Sequence, residues 1–152
     1  MTTSFTTLKS NYPTAPKPAL FQSLGGQWPS LANDKNYENT CAIRMSVALR
    51  KSGLPIPQVF KEAITGEGLA LTIKVATMRD VVRGFFGDSY WGISKVPGQP
   101  VNVPNRTGII VYHVAWSNAT GHFDLWTGSG FVGSGNLNDV ADGYAVELWH
   151  LS

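Results

Sequence analysis

The sequence predicts an α+β domain in which helices come first and an antiparallel sheet follows. Three observations predict it. Two helical runs lie early: one from Cys41 to about Ser52, stopped by Gly53, and an amphipathic one from Thr77 to Phe86. Three strand-like runs lie late, Thr107–Trp116, Gly121–Thr127 and Gly143–Leu151, with a turn and no helix between the first two. The 152 residues are 43% hydrophobic and 14% charged, which suits a folded chain with one core and not a disordered one.

The elements follow in order. Residues 1–36 are polar, with prolines at 13, 16, 18 and 29. Short helices are expected near Ser4–Ser10 and Leu20–Leu24, the second stopped by Gly25-Gly26, and the whole segment is expected to pack on the core. In the helix from Cys41, Ile43, Met45, Val47, Ala48 and Leu49 cover more than one stripe, so burial on most sides is expected. Leu69–Val75 alternates and reads as a strand. Met78, Val81, Val82, Phe85 and Phe86 form the inner face of the next helix. Asp88–Arg106 is rich in Pro and Gly and reads as loop. Asn118-Ala119-Thr120-Gly121 reads as a turn. No repeat or linker divides the chain, so residues 1–152 are expected to form a single domain.

Several function classes are excluded. The net charge is +2 and the basic residues are scattered, so no nucleic-acid stripe exists. A lone cysteine excludes an internal disulfide and a cysteine-rich zinc site. Asn138–Gly143 lacks the spacing of a calcium loop and reads as a solvated turn. Gly128-Ser129-Gly130 and Gly133-Ser134-Gly135 read as hairpin turns, because no helix follows to offer an anion site. No metal or cofactor is expected. Met1–Lys9 has no apolar segment of a secretory signal, and no window is long enough to span a bilayer. The protein is therefore expected to be made in the cytoplasm, to insert in no membrane, and to leave by a route that reads no cleaved signal. The sequons at Asn105 and Asn118 then read as turns. Trp28, Trp91, Trp116, Trp126 and Trp149 are core residues by default, with Trp91 and Trp116 also placed to line a substrate groove.

The chemistry centres on Cys41. Asn39 and Thr40 are N-caps by residue type, so Cys41 falls in a first helical turn. Unpaired N–H groups and the positive end of the helix dipole favour thiolate there. A buried core thiol is the plain alternative. Of the three histidines, His113 sits mid-strand and His150 near the end, and both read as structural. His122 follows a turn at the start of a strand, a rigid position open to a cleft. Period-two alternation sends Phe123 and Leu125 inward and puts His122, Asp124 and Trp126 on the other face. A cysteine and a histidine so placed form a papain-like nucleophile and base.

The run Asn39-Thr40-Cys41-Ala42-Ile43-Arg44-Met45-Ser46 resembles the cysteine motif of the type VI secretion amidase effectors, specifically their fourth family. Thr107–Val111, Trp116–His122 and Leu125-Trp126 resemble the block that carries that family's histidine, and Glu147-Leu148-Trp149 also fits. The resemblance implies a papain-like NlpC-type fold, with the nucleophile at a helix N-terminus packed on an antiparallel sheet. It implies an amidase that cuts between γ-D-glutamate and meso-diaminopimelate in peptidoglycan stem peptides. It implies secretion by a type VI apparatus, action in the periplasm of the target cell, and a cognate immunity protein that plugs the cleft. Members also place an aspartate beyond the histidine to orient it; that position is Gly133 here. The disulfide some members carry is impossible with one cysteine.

The expected mechanism has Cys41 attack the amide carbonyl while His122 moves the proton. The Cys41 backbone N–H and a side-chain donor are expected to hold the oxyanion. With Gly133 unable to serve, Asp124 is expected to orient His122, and Asn136, Ser134 and Asp139 stay open as alternatives. An acyltransferase using the same Cys–His pair and a non-catalytic cell-wall binding module are the competing functions.

Overall fold

The computed structural model describes residues 3–114 and 121–152. Helix α1 (Phe5–Asn11) starts at Ser4, whose hydroxyl accepts the Thr7 N–H. Helix α2 (Lys17–Leu24) begins earlier than the sequence suggests, because Pro18 is suited to a first helical turn. Helix α3 (Cys41–Lys51) is the centre of the molecule, and eight of its residues are buried. Its face with Cys41, Ala42, Met45 and Leu49 packs on Phe123 and Leu125 of the sheet and on α1. Its opposite face, Ile43 and Val47, packs on Leu20, Phe21 and Trp28. Apolar residues on more than one stripe thus bury the helix between two clusters, as expected.

The strand expected over Leu69–Val75 shrinks to a short hairpin, β1 (Ala63–Ile64) with β2 (Ala70–Leu71). Side chains take over the backbone N–H groups that would have continued it. The Thr72 N–H is donated to Ser46 Oγ, and those of Ile73 and Lys74 to Glu62 Oε1. Glu62 thereby closes the start of helix α4 (Val75–Phe86), two residues before the expected Thr77.

Four antiparallel strands form the main sheet, in the order β3-β6-β4-β5. They are β3 (Trp91–Ser94), β4 (Gly108–His113), β5 (Gly121–Trp126) and β6 (Ala145–His150). Strand β3 lies in the segment expected to be loop. It is an edge strand paired only with β6 and mostly exposed, so burial imposed little pattern on its sequence. Arg79 of α4 donates to both Glu147 carboxylate oxygens at 2.6 and 3.1 Å, and Ser89 Oγ joins at 3.1 Å. This clamp fixes α4 across β6. The end of the first expected strand at Trp116, the turn over Asn118, Ala119 and Thr120, its sequon, and the groove role of Trp116 lie outside the described residues.

Strand β5 is buried along its whole length. Phe123 and Leu125 enter the cluster under α3, while Trp126 joins Tyr112 and Ile110 in a cluster on the other face. The alternation across this strand is the expected one. The face that carries His122, Asp124 and Trp126 is buried as well, with Asp124 at 0% exposure.

Candidate active site

Cys41 is placed by the residue two before it. Asn39 Oδ1 accepts the Cys41 N–H at 3.1 Å, and Asn39 Nδ2 donates to the Gly121 carbonyl at 2.9 Å. One side chain thus ties the start of α3 to the start of β5. Thr40 occupies the cap position but makes no side-chain cap bond; its hydroxyl accepts from Arg44 Nε at 2.9 Å. In this structure the Cys41 N–H, one of the expected oxyanion donors, is engaged by Asn39. Gly121 leaves room for the neighbouring strand: a Cβ there would stand 2.5 Å from the Tyr112 carbonyl oxygen.

His122 is 7% exposed. Its Nε2 donates to Asp124 Oδ2 at 2.8 Å, which leaves Nδ1 for the Cys41 side chain. Burial pushes the imidazole pKa down. Hydrogen bonds to Asp124 and Cys41, and the negative charge of both, outweigh burial and raise it to about 9. The ring also lies against Tyr112, its cross-strand neighbour, with centroids 5.5 Å apart.

Asp124 is fully buried, so its charge must be met by donors. Besides His122 it accepts backbone N–H bonds from Leu125 at 2.7 Å, Gly133 at 2.7 Å and Gly135 at 3.0 Å. The Gly133-Ser134-Gly135 loop therefore does cradle an anion, and the anion is this carboxylate. Gly133 has no room for a side chain: a Cβ would stand 2.9 and 3.0 Å from the Asp124 oxygens and 3.1 Å from the Tyr12 hydroxyl. The lack of a side chain at 133 and the carboxylate at 124 are two sides of one packing arrangement.

The other candidates fall elsewhere. Asn136 Oδ1 accepts from the Asn138 N–H, and its own N–H is donated to the Tyr112 hydroxyl. Ser134 lines the cleft, but Nε2 of His122 is taken by Asp124. Asp139 lies in the one-turn helix Leu137–Asp139. His113 is half-buried, and exposed His150 meets the Thr107 carbonyl at 2.8 Å. Trp91 packs against the cluster around Tyr112 and Leu148 and does not line the cleft. Among the described residues no group of His, Cys, Asp and Glu could hold a metal ion, and no helix is long and apolar enough to cross a membrane.

Cys41 and His122 open into a cleft of about 480 Å³, walled by Tyr12–Pro16 on one side and Val132–Ser134 on another. Sequence reasoning missed Tyr12. Burial raises its pKa well above the usual tyrosine value, Asp124 and Cys41 add to this, and Arg44 partly offsets it. Its hydroxyl is therefore a neutral donor in the cleft. No motif marks it, because it comes from the chain turn after α1.

A profile of the type VI secretion system amidase effector protein 4 family, Tae4, matches residues 37–149. Solved structures agree over the full length. The Tae4 effector of Enterobacter cloacae, solved with its immunity protein Tai4, is 21% identical, with all of both chains covered and a TM-score of 0.84. The Salmonella typhimurium effector Tae4, solved with Tai4 from Enterobacter cloacae, is 23% identical, with 99% of this chain and 100% of that one covered and a TM-score of 0.83. Tae4 of Enterobacter cloacae alone is 22% identical, covers 100% of this chain and 98% of that one, and has a TM-score of 0.84. Curated proteins yield no significant match. The fold is thus the expected α+β, papain-like NlpC-type one. With a helix-start cysteine, a histidine on the facing strand and a family profile spanning both, the chain belongs to the type VI secretion system amidase effector protein 4 family, a family of peptidoglycan amidases.

Proposed function

We propose that Cys41, His122 and Asp124 carry out amide hydrolysis on the γ-D-glutamyl–meso-diaminopimelate bond of peptidoglycan stem peptides. The observation that carries the cysteine mechanism is the relay from Asp124 through His122 to Cys41 at the cleft, with the carboxylate anchored by three backbone N–H groups; membership in a peptidoglycan amidase family supports the bond. Cys41 thiolate attacks the carbonyl carbon and forms a tetrahedral oxyanion. His122 Nδ1–H gives its proton to the leaving amine, the C–N bond breaks, and a thioester remains. Water then attacks the thioester, His122 takes its proton, and the carboxylic acid leaves as Cys41 is restored. Asp124 holds the ring orientation and stabilises the imidazolium without taking the proton itself. Tyr12 O–H is a side-chain oxyanion donor in the wall of this cleft, and the Cys41 N–H joins it when it leaves Asn39. Loss of one such donor costs on the order of 100-fold in rate.

Delivery by a type VI apparatus places this reaction in the periplasm of a target cell, and a cognate immunity protein covers the cleft. The effector–immunity complexes of similar fold support that partner. Mass spectrometry of purified muropeptides after digestion tests the bond. Products ending in free γ-D-glutamate support the reading, and cleavage only at another amide rejects it. Growth arrest on export to the periplasm, with none from cytoplasmic expression, tests the site of action; equal growth in both would reject a cell-wall target.

A further inference from the structure

Arg44 stands one helical turn beyond Cys41, on the same face of α3, where Cβ atoms are about 5–6 Å apart. It is the only Lys or Arg among the described residues lining the cleft. Three bonds hold its guanidinium in place: Nε to Thr40 Oγ1 at 2.9 Å, and Nη1 to the Pro13 and Ala15 carbonyls at 3.1 and 2.7 Å. Among the described residues Nη2 makes no hydrogen bond. As a strut for the 13–15 wall, the side chain needs only Nε and Nη1. A guanidinium oriented in advance, with one nitrogen to spare, is a receptor for a carboxylate. The substrate supplies one. A γ-glutamyl amide, by its connectivity, leaves the α-carboxylate of that residue free, a short aliphatic chain from the scissile carbonyl.

We propose that Arg44 binds the free α-carboxylate of the γ-linked D-glutamate through Nη2 and so selects γ-D-glutamyl amides with an unmodified acid. The inference rests on the γ-D-glutamyl reading above. The test uses two stem tripeptides, one carrying D-isoglutamate and one carrying D-isoglutamine, whose α-carboxyl is amidated. Each is assayed with the wild-type protein, Arg44→Lys and Arg44→Gln. Wild type should favour the acid in kcat/KM on the order of 10- to 100-fold, the range of a hydrogen bond to a charged group, with most of the difference in KM. Arg44→Gln should bring the ratio close to one, and Arg44→Lys should keep part of it. A strut alone would lower both substrates together and leave the ratio unchanged. Equal cleavage of both substrates by wild type, or a preference that survives Arg44→Gln, overturns the inference and spares the γ-glutamyl reading. If Arg44→Gln does not fold, the wild-type ratio and its fall in Arg44→Lys still decide. Wild type that cuts neither tripeptide while cutting another muropeptide amide overturns both.

Discussion

The two halves of the candidate site are built in different ways. The nucleophile half lies within one stretch, Asn39 to Arg44: a polar residue that accepts the Cys41 N–H, the thiol, and an arginine one turn on. The base half is gathered from separate segments. His122 and Asp124 come from β5, two of the three N–H groups that hold Asp124 come from the Gly133 and Gly135 backbone, and Tyr12 closes the corner from the far end of the chain. The difference predicts unequal tolerance. Loss of the thiol on the helix side should cost chemistry with little loss of fold. Mutation around the buried carboxylate should cost both, because a charge at 0% exposure depends on every donor around it.

The largest effect should come from Cys41→Ala. Hydrolysis should fall by on the order of 10⁴-fold or more, while the melting temperature stays near that of the wild type. Turnover by purified Cys41→Ala at wild-type levels would remove the helix side from the chemistry altogether. Asp124→Asn should follow, with turnover down on the order of 10³-fold. An amide keeps one acceptor oxygen but turns an NH2 group toward N–H donors, so unfolding in urea should also show a loss of about 2–4 kcal/mol. The same substitution should move the pH profile. His122 is raised from 6.5 to about 9, so wild-type activity should fall off on the alkaline side near pH 9. The stability His122 contributes is fully present below its unfolded value and lost as pH rises through about 9. Removing the Asp124 charge lowers that pKa, so the alkaline limb should shift to lower pH. An unmoved limb would detach Asp124 from the histidine.

Gly133→Ala sharpens the comparison, since it leaves every reacting group in place. The added methyl would press on both Asp124 oxygens and the Tyr12 hydroxyl. Turnover should drop about tenfold and stability by about 1–3 kcal/mol. A neutral result would show that the loop gives way freely and that the base half is less tightly built than its donors suggest. The smallest effect is expected from Asn39→Ala. It removes the cap on Cys41 and the tether to Gly121, with a loss of about 1 kcal/mol in thermal or chemical unfolding. It also frees the Cys41 N–H, so turnover should change less than stability does. A large fall in turnover would make Asn39 part of the chemistry.

The same division governs what could be read in advance. The start of α3 was legible because caps act over two or three residues and residue type reveals them. The alternation of β5 was legible because period two is local. The strand at Trp91–Ser94 was not, since an edge strand with exposed side chains carries no burial pattern. Nor was the shortening of the strand at Thr72–Lys74, where Ser46 and Glu62 take the backbone N–H groups from a distance in sequence.

By itself the sequence determined the helix-then-sheet order, the cysteine at a helix start, the histidine at a strand start, and an aspartate two residues on with its side chain on the same face. Tertiary structure alone decided that Asp124 meets His122 Nε2, that Gly133 and Gly135 turn their N–H groups onto it, and that Tyr12 and Arg44 share the cleft. The reason is one of range. Periodicity and capping act between neighbours and leave a mark in residue type. The direction of a backbone N–H in a loop is set by how that loop packs, and glycine at that position is compatible with many directions.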